Sequence, residues 1–222
     1  MDPLMSSALP PSVRQLSGEK AAAILAGAMQ EFLAHGYAAT SMDRVARAAG
    51  VSKATVYSHF ADKESLFKAL TRHMIERDFA LLFGGDDAEA LPADPRQAMH
   101  MLARRMLDVH HTYPEFLAFL RLLIGESDRF PALAQGFMTQ IHQKSFLALT
   151  ELVGACQGPR QGDPTLLAWV FLGSLIHVVM CQDMLHGKEV MPVDREAFAT
   201  GLVELLCPDP AGAPKSGARF GR

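Results

Sequence analysis

The chain is poor in cysteine, in aromatics and in net charge, and each shortage excludes something. Its three cysteines, Cys156, Cys181 and Cys207, are odd in number, far apart and in no paired motif. That rules out a disulfide-stapled secreted scaffold, and they read as reduced thiols packed in helices of a cytoplasmic protein. A formal charge of −3 rules out a protein that coats nucleic acid along its whole length, so any positive face has to be local. No apolar run approaches the roughly 18 to 20 residues of a membrane span, and no membrane partner is expected. Strand signals and internal repeats are absent. The first residues, 1–16, hold Pro3, Pro10 and Pro11 with a single base, Arg14; this is neither a signal peptide nor a helix, and it reads as a disordered arm.

What is there centres on Thr40 to Glu64, TSMDRVARAAGVSKATVYSHFADKE. Ser41 can cap a first helix whose Met42, Val45, Ala46 and Ala49 fall at the 1, 4, 5, 8 spacing of a buried stripe. Gly50 ends it, since a residue without a Cβ turns left-handed at no steric cost. Ser52 then opens a second short helix through Val56, Tyr57 and Phe60, and Asp62 caps a third. Two helices of about two turns joined by a Gly turn make a helix-turn-helix. Neither would stand alone, because helices under roughly 12 residues are marginal in water. The second helix turns Lys53, Ala54, Thr55, Tyr57, Ser58 and His59 outward, short or polar side chains rich in donors, as a helix laid in a major groove requires. From Gly36 to His73 there are six bases against three acids, a local +3 in a chain of −3.

The run A-A-G-V-S-K-A-T-V-Y-S-H-F-x-D-K-E-x-L, preceded by G-Y-x-x-T-S-M-D-R-V-A, resembles the DNA-binding domain of the TetR family of bacterial transcriptional regulators. The match covers roughly Ser17 to Leu70. By that resemblance the protein is a one-component regulator, most often a repressor, that binds a palindromic operator in double-stranded DNA as a homodimer and responds to a small-molecule effector. Matching positions imply phosphate contacts from Ser41, Tyr57, His59 and Lys63, and base-edge or mixed contacts from Ser52, Lys53 and Thr55, with Ala54 offering a methyl to thymine.

The rest of the chain supports an all-α fold of about nine helices: a three-helix DNA-binding domain with its connecting helix (17–83), then a helical effector-binding and dimerisation domain (94–206). A first helix is expected from Gly18 to His35, capped by Ser17 and closed by Gly36. The helix opened by Asp62 should reach Phe83 and act as the lever between domains, with a Gly-rich loop after it. Asp94-Pro95 starts a helix to about His111 and Tyr113-Pro114 another to about Gly125. Phe130-Pro131 starts a long one to about Cys156, and Asp163-Pro164 one reaching His186. Asp194 to Leu206 is the last helix, before a flexible tail, 207–222. The Pro164–His186 helix is apolar almost all round, which implies burial on two sides. In the family the last two helices, about 164–206, form the dimer.

Large, adaptable side chains on the middle helices are the candidates for an effector pocket: Met106, Phe116, Phe119, Leu120, Phe137, Ile141, Trp169, His177 and Met180. The 12 methionines suit irregular apolar ligands. Glu126 to Pro131 loosely resembles the effector segment of the AefR-like branch. His177 and Cys181, four apart, have the spacing of a metal pair but lack further ligands, so no metal and no cofactor is expected. Neither a nucleophile with its base nor a pair of carboxylates stands out, so the chain is not read as an enzyme. The alternative is a helical lipid- or small-molecule-binding protein or enzyme in which the short helices are only a packing motif.

Overall fold

A computed structural model describes residues 13–84, 89–108, 113–156 and 162–207. Every regular element among them is a helix, nine in all once π turns are joined to the helices they continue. The chain divides into two units at Leu70 and Thr71.

The first unit holds α1 (Val13–Ala39), α2 (Met42–Ala48), α3 (Lys53–His59) and the start of α4 (Lys63–Phe83). α1 begins at Val13, so Ser17 lies inside it rather than capping it, and the expected arm is helical over its last four residues. Between Pro11 and Gly18 there is neither glycine nor proline, and a single Gly18 costs a helix only about 1 kcal/mol. The rest of the arm lies outside the described residues. Gly36 interrupts α1 at φ 75°, which turns the chain so that Tyr37 packs back. The rings of Phe32, Tyr37 and Phe67 meet with centroids 5.3 to 5.7 Å apart, and Ile24, Ala28, Val45, Val56 and Leu66 close the core around them. α1 and α2 approach very closely at Gly27: a Cβ there would stand 2.8 Å from the Ala49 nitrogen.

The second unit holds the end of α4, then α5 (Pro95–Leu107), α6 (Pro114–Glu126), α7, α8 and α9 (Arg195–Leu206). α7 is α-helical over Pro131–Ile141 and Leu147–Cys156 with one π turn, His142–Phe146, between them. α8 runs Pro164–Val179 and ends in a second π turn, Met180–Met184, short of the expected His186. α5 also stops short of the expected His111, and the Arg195 guanidinium donates to the carbonyl of Leu107 where it ends. The start signals hold: Asp94, Asp163 and Asp194 each accept a backbone N–H of the first turn at 2.8 to 3.0 Å. The remaining loop expectations, after Gly84, before Tyr113, from Gln157 and after Cys207, fall largely outside the described residues. The core joins α5, α7, α8 and α9 through Met99, Leu102, Phe146, Val153, Phe171, Leu175 and Val203.

Two expectations are corrected here. Cys156 and Cys207 are bridged, with Cα atoms 5.4 Å apart across 51 residues of sequence; the ends of α7 and α9 converge, which no local motif announces. Cys181 is free. Second, Pro164–Met184, 21 residues long, is by length and composition apolar enough to cross a membrane, with a mean hydropathy of 1.9 over an 18-residue window. His177 does not lower that average enough to disqualify it, and the charged Asp183 falls at the helix end. Ala168, Phe171, Leu175, Val178 and Val179 bury one face of this helix, while Leu166, Trp169, Val170, Ile176 and Met180 are exposed on the other. The burial expected on two sides is therefore present on one within the single chain.

Beneath the end of α8, the buried Asp183 carboxylate takes both oxygens to one Arg195 nitrogen, at 2.7 and 2.8 Å, and Lys188 approaches to 3.1 Å. Arg121 donates to the Asp183 carbonyl at 2.9 Å. This set ties α6, α8 and α9 together. Gln182, also buried, donates to Met191 O.

Candidate functional site

In the first unit, α3 stands on Val56, which is fully buried, and shows Lys53, Ala54, Tyr57 and Ser58 to solvent. Thr55 and His59 are half-buried at its flank. Ser41 and Ser52 both act as caps: each hydroxyl accepts a first-turn N–H, from Arg44 at 3.3 Å and Thr55 at 3.1 Å. Ser52 Oγ also lies 2.8 Å from Thr55 Oγ1. The Ser58 hydroxyl donates to Thr55 O, so the hydroxyls of Ser52, Thr55 and Ser58 are held by their own helix.

Lys53 reaches across to α2 and pairs with Asp43 at 2.8 Å, and that hydrogen bond raises its pKa above the ordinary lysine value. Both partners are exposed, so the pair is weakly held and its cation can be traded for another anion.

Lys63, expected at a phosphate, turns its ammonium inward instead. It donates to the carbonyls of Tyr37, Ala38 and Thr40 at 2.8 to 3.0 Å, with the Tyr37 ring centroid 4.5 Å away. Gly36 has just broken the helix there, and the freed carbonyls gather at one point, which the Lys63 ammonium at the start of α4 fills. Thr40 completes the corner, donating to Glu31 O and Gly36 O. Burial first, then the nearby Glu64 and Asp62, pushes the Tyr37 hydroxyl above its usual pKa. Asp62 caps α4 reciprocally: it accepts the Ser65 N–H at 2.7 Å while Ser65 Oγ accepts the Asp62 N–H at 3.1 Å. Those bonds hold its carboxyl below the ordinary range.

In the second unit a cavity of about 570 Å³ opens between α4, α5, α6, α7 and α8. Of the sequence candidates, Met106, Phe116, Leu120, Phe137, Ile141 and Trp169 line it. Phe119 is wholly buried in the core instead. His177 and Met180 are exposed on α8 outside the lining. Reasoning from the sequence passed over Leu82, Phe83, Leu149, Leu172 and Met184, and a polar group on α7 made of Thr139, His142, Gln143 and Ser145. Three of those four belong to the π turn, which widens the helix and re-aims its side chains; nothing in the local sequence signals it.

Two other clefts, near Asp183 and near His100, are lined largely by charged and polar side chains. Cys181 Sγ lies 3.6 Å from His177 Nε2, and among the described residues no group of three or more metal-ligating side chains stands together.

Residues 24–70 match the sequence profile described as bacterial regulatory proteins, tetR family, and residues 97–206 that of the AefR-like transcriptional repressor, C-terminal domain. The uncharacterized HTH-type transcriptional regulator YhgD of Bacillus subtilis is 27% identical over 82% of this chain and 91% of its own. Among solved structures, the flavonoid-responsive regulator FrrA is 28% identical with a TM-score of 0.68, covering 85% of this chain and 95% of its own. AibR, solved with isovaleryl coenzyme A and operator DNA, superposes with a TM-score of 0.56 at 23% identity, over 85% of this chain and 98% of its own. YhgD and FrrA are named as regulators, not enzymes.

Proposed function

The chain belongs to the tetR family of bacterial regulatory proteins, a DNA-binding transcriptional regulator, and we propose from that premise that it is a homodimeric repressor of a palindromic operator, released by a small, largely apolar effector. The observation that carries the reading is α3: seven residues too short to fold alone, anchored by Val56, and presenting Lys53, Ala54 and Tyr57 to solvent. Lys53, Ala54 and Thr55 face base edges, with Lys53 leaving Asp43 for the groove. Tyr57 and His59 grip the phosphate backbone. Ser41 and Ser52 hold the ends of their helices towards it, and Lys63 acts through the corner it braces.

Two copies meet through the exposed apolar stripe of α8, with α9 beside it, and set two readers on half-sites about 34 to 36 Å apart or a multiple of that. A chromosomal operator places the protein in the cytoplasm. The cavity supplies the second ligand, and a molecule that binds one conformer better shifts the population away from the operator-binding one. The ligands in the names of FrrA and AibR differ in kind, so neither is carried over.

Selection of bound fragments from genomic duplex DNA tests this, at near-physiological salt with the full chain. Enrichment of a palindrome with half-sites about one turn apart is expected. Binding without enrichment, vanishing as salt rises, would mean phosphate attraction only and would sink the reading.

A further inference from the structure

We propose that the cavity of the second unit takes a neutral, ring-containing molecule whose hydrogen-bonding groups gather at one end, and that the π turn of α7 holds that end. The inference rests on reading the cavity as the effector site and adds the chemistry of what enters it.

Three observations lead there. No lysine, arginine, aspartate or glutamate stands in the lining. Lys144 of the π turn and Arg121 of α6 lie outside the lining, Lys144 beside Glu76 at 3.6 Å and Arg121 donating to the carbonyl of Asp183. A carboxylate or phosphate drawn into the cavity would lose its water and find no lysine or arginine in the wall to offset its charge, which is far costlier than burying a neutral polar group.

The polar side chains, second, lie together instead of being scattered. Thr139, His142, Gln143 and Ser145 all come from one stretch of α7 at and just before the π turn. Thr139 donates its proton to Gln135 O and keeps only acceptor capacity. No hydrogen bond from Gln143 or Ser145 side chains to the described residues is present, so both offer donor and acceptor to a guest. His142 stacks on Phe146 with centroids 5.6 Å apart, which leaves its ring nitrogens at the edge of the same polar patch.

Third, the rest of the lining is rich in aromatic rings: Phe83 and Phe116 from α4 and α6, Phe137 and Phe146 from α7 itself, and Trp169 from α8. Phe146 and Trp169 meet at 4.7 Å with planes tilted by 44°, forming a corner that receives a ring edge or face. An aliphatic chain would gain only contact there, whereas a ring gains the directional ring–ring term as well. A volume of about 570 Å³ suits a drug-sized guest.

Titration calorimetry of the full chain at pH 7 with three probes tests this: 4-phenylphenol, biphenyl-4-carboxylate and 1-decanol. The phenol should bind at least tenfold more tightly than the carboxylate, which has the same frame and a charge, and more tightly than the alcohol, which is neutral without a ring. Gln143→Ala and Ser145→Ala, both solvent-accessible helical positions where alanine keeps the fold, should each weaken the phenol about 3- to 10-fold, the span of one hydrogen bond. A carboxylate or alcohol that binds as tightly as the phenol overturns the proposal, as does failure of all three to bind, or a phenol indifferent to both substitutions.

Operator binding measured on the same samples separates this from the broader reading. Selective phenol binding that leaves the operator complex intact would end the idea of effector control while upholding the cavity chemistry. Operator release by the carboxylate alone would do the reverse.

Discussion

Lys63 distinguishes a contact to DNA from a brace inside the reader. Its ammonium donates to three carbonyls at the broken end of α1, and Lys63→Met would keep the hydrocarbon stem while removing the donors. A hydrogen bond from a charged donor contributes about 1.5 to 3 kcal/mol, but these three share one half-exposed charge, so about 2 to 3 kcal/mol for the set is the reasonable sum. In a unit of roughly 70 residues each kcal/mol moves the melting midpoint by about 4 to 8 °C, so the reader should melt on the order of 10 °C lower. The assay pairs a thermal melt followed by circular dichroism with operator binding across a salt series well below that melt. Loss of a phosphate contact lowers the slope of log K against log salt by about 0.9 per reader; a brace lost leaves the slope as it was. Unaltered melting together with a slope reduced by about 0.9 per reader would refute the brace and restore Lys63 to the phosphate set.

Three further perturbations follow from the same geometry. Gly27→Ala would place its Cβ 2.8 Å from the Ala49 nitrogen, a backbone atom that cannot step aside; overpacking of this kind costs about 1 to 3 kcal/mol, and a denaturant titration should show the reader transition moving down while the second unit keeps its own. Asp183→Asn keeps the shape but strips the countercharge from the Arg195 and Lys188 cations around it, so the second unit should lose about 3 to 5 kcal/mol in urea unfolding; a loss under 1 kcal/mol would show that the pair is hydrated. The Asp62 carboxyl is held below its usual pKa chiefly by the Ser65 N–H. A lowered folded-state value means its contribution is present above the ordinary carboxylate range and is lost as pH falls through the still lower folded value. Asp62→Asn should therefore flatten the acid limb of the reader's unfolding curve below the ordinary carboxylate range, and leave it unchanged at neutral pH beyond a constant offset.

What could be read from the sequence was whatever is decided within a few residues. Ser41, Ser52, Asp62, Asp94, Asp163 and Asp194 each announce a helix because a short side chain reaches its own first-turn N–H groups, and Gly50 ends one because glycine adopts its φ of 66° without strain. The family's short motif then gave these local signals a purpose. The inward contacts of Lys63 were not legible because its carbonyls lie 23 to 26 residues upstream, and Cys156 with Cys207, like Asp183 with Arg195, are brought together only by packing. The cavity wall was half legible for the same reason: Phe116, Phe137 and Trp169 look like any other large apolar residue, and Phe119, one face over, fills the core. The π turns are the hardest, since an extra residue in one turn shifts the phase of every side chain after it without any change in composition.

The apolar outer stripe of α8 is open to two explanations, lipid and a second chain, and the fold favours the second. A spanning helix ends its apolar stretch at a water boundary, but α8 ends on Gln182 and Asp183, both buried and bound to the chain's own Met191, Lys188 and Arg195. Its inner face is part of the core with α5, α7 and α9, so only one side is left to cover. At the centre of that side Gly173 has no atom within 4 Å of where a Cβ would stand, leaving room for another helix to approach closely. Val170, 39% exposed and outside the cavity lining, tests the choice without disturbing the effector site. Val170→Glu would bury an unpaired carboxylate in a helix–helix interface, so the dimer should weaken at least 100-fold by sedimentation equilibrium. Operator affinity should fall with it, while calorimetric binding of a cavity probe by the monomer persists. A Val170→Glu chain that stays dimeric at micromolar concentration would move the interface off this face of α8.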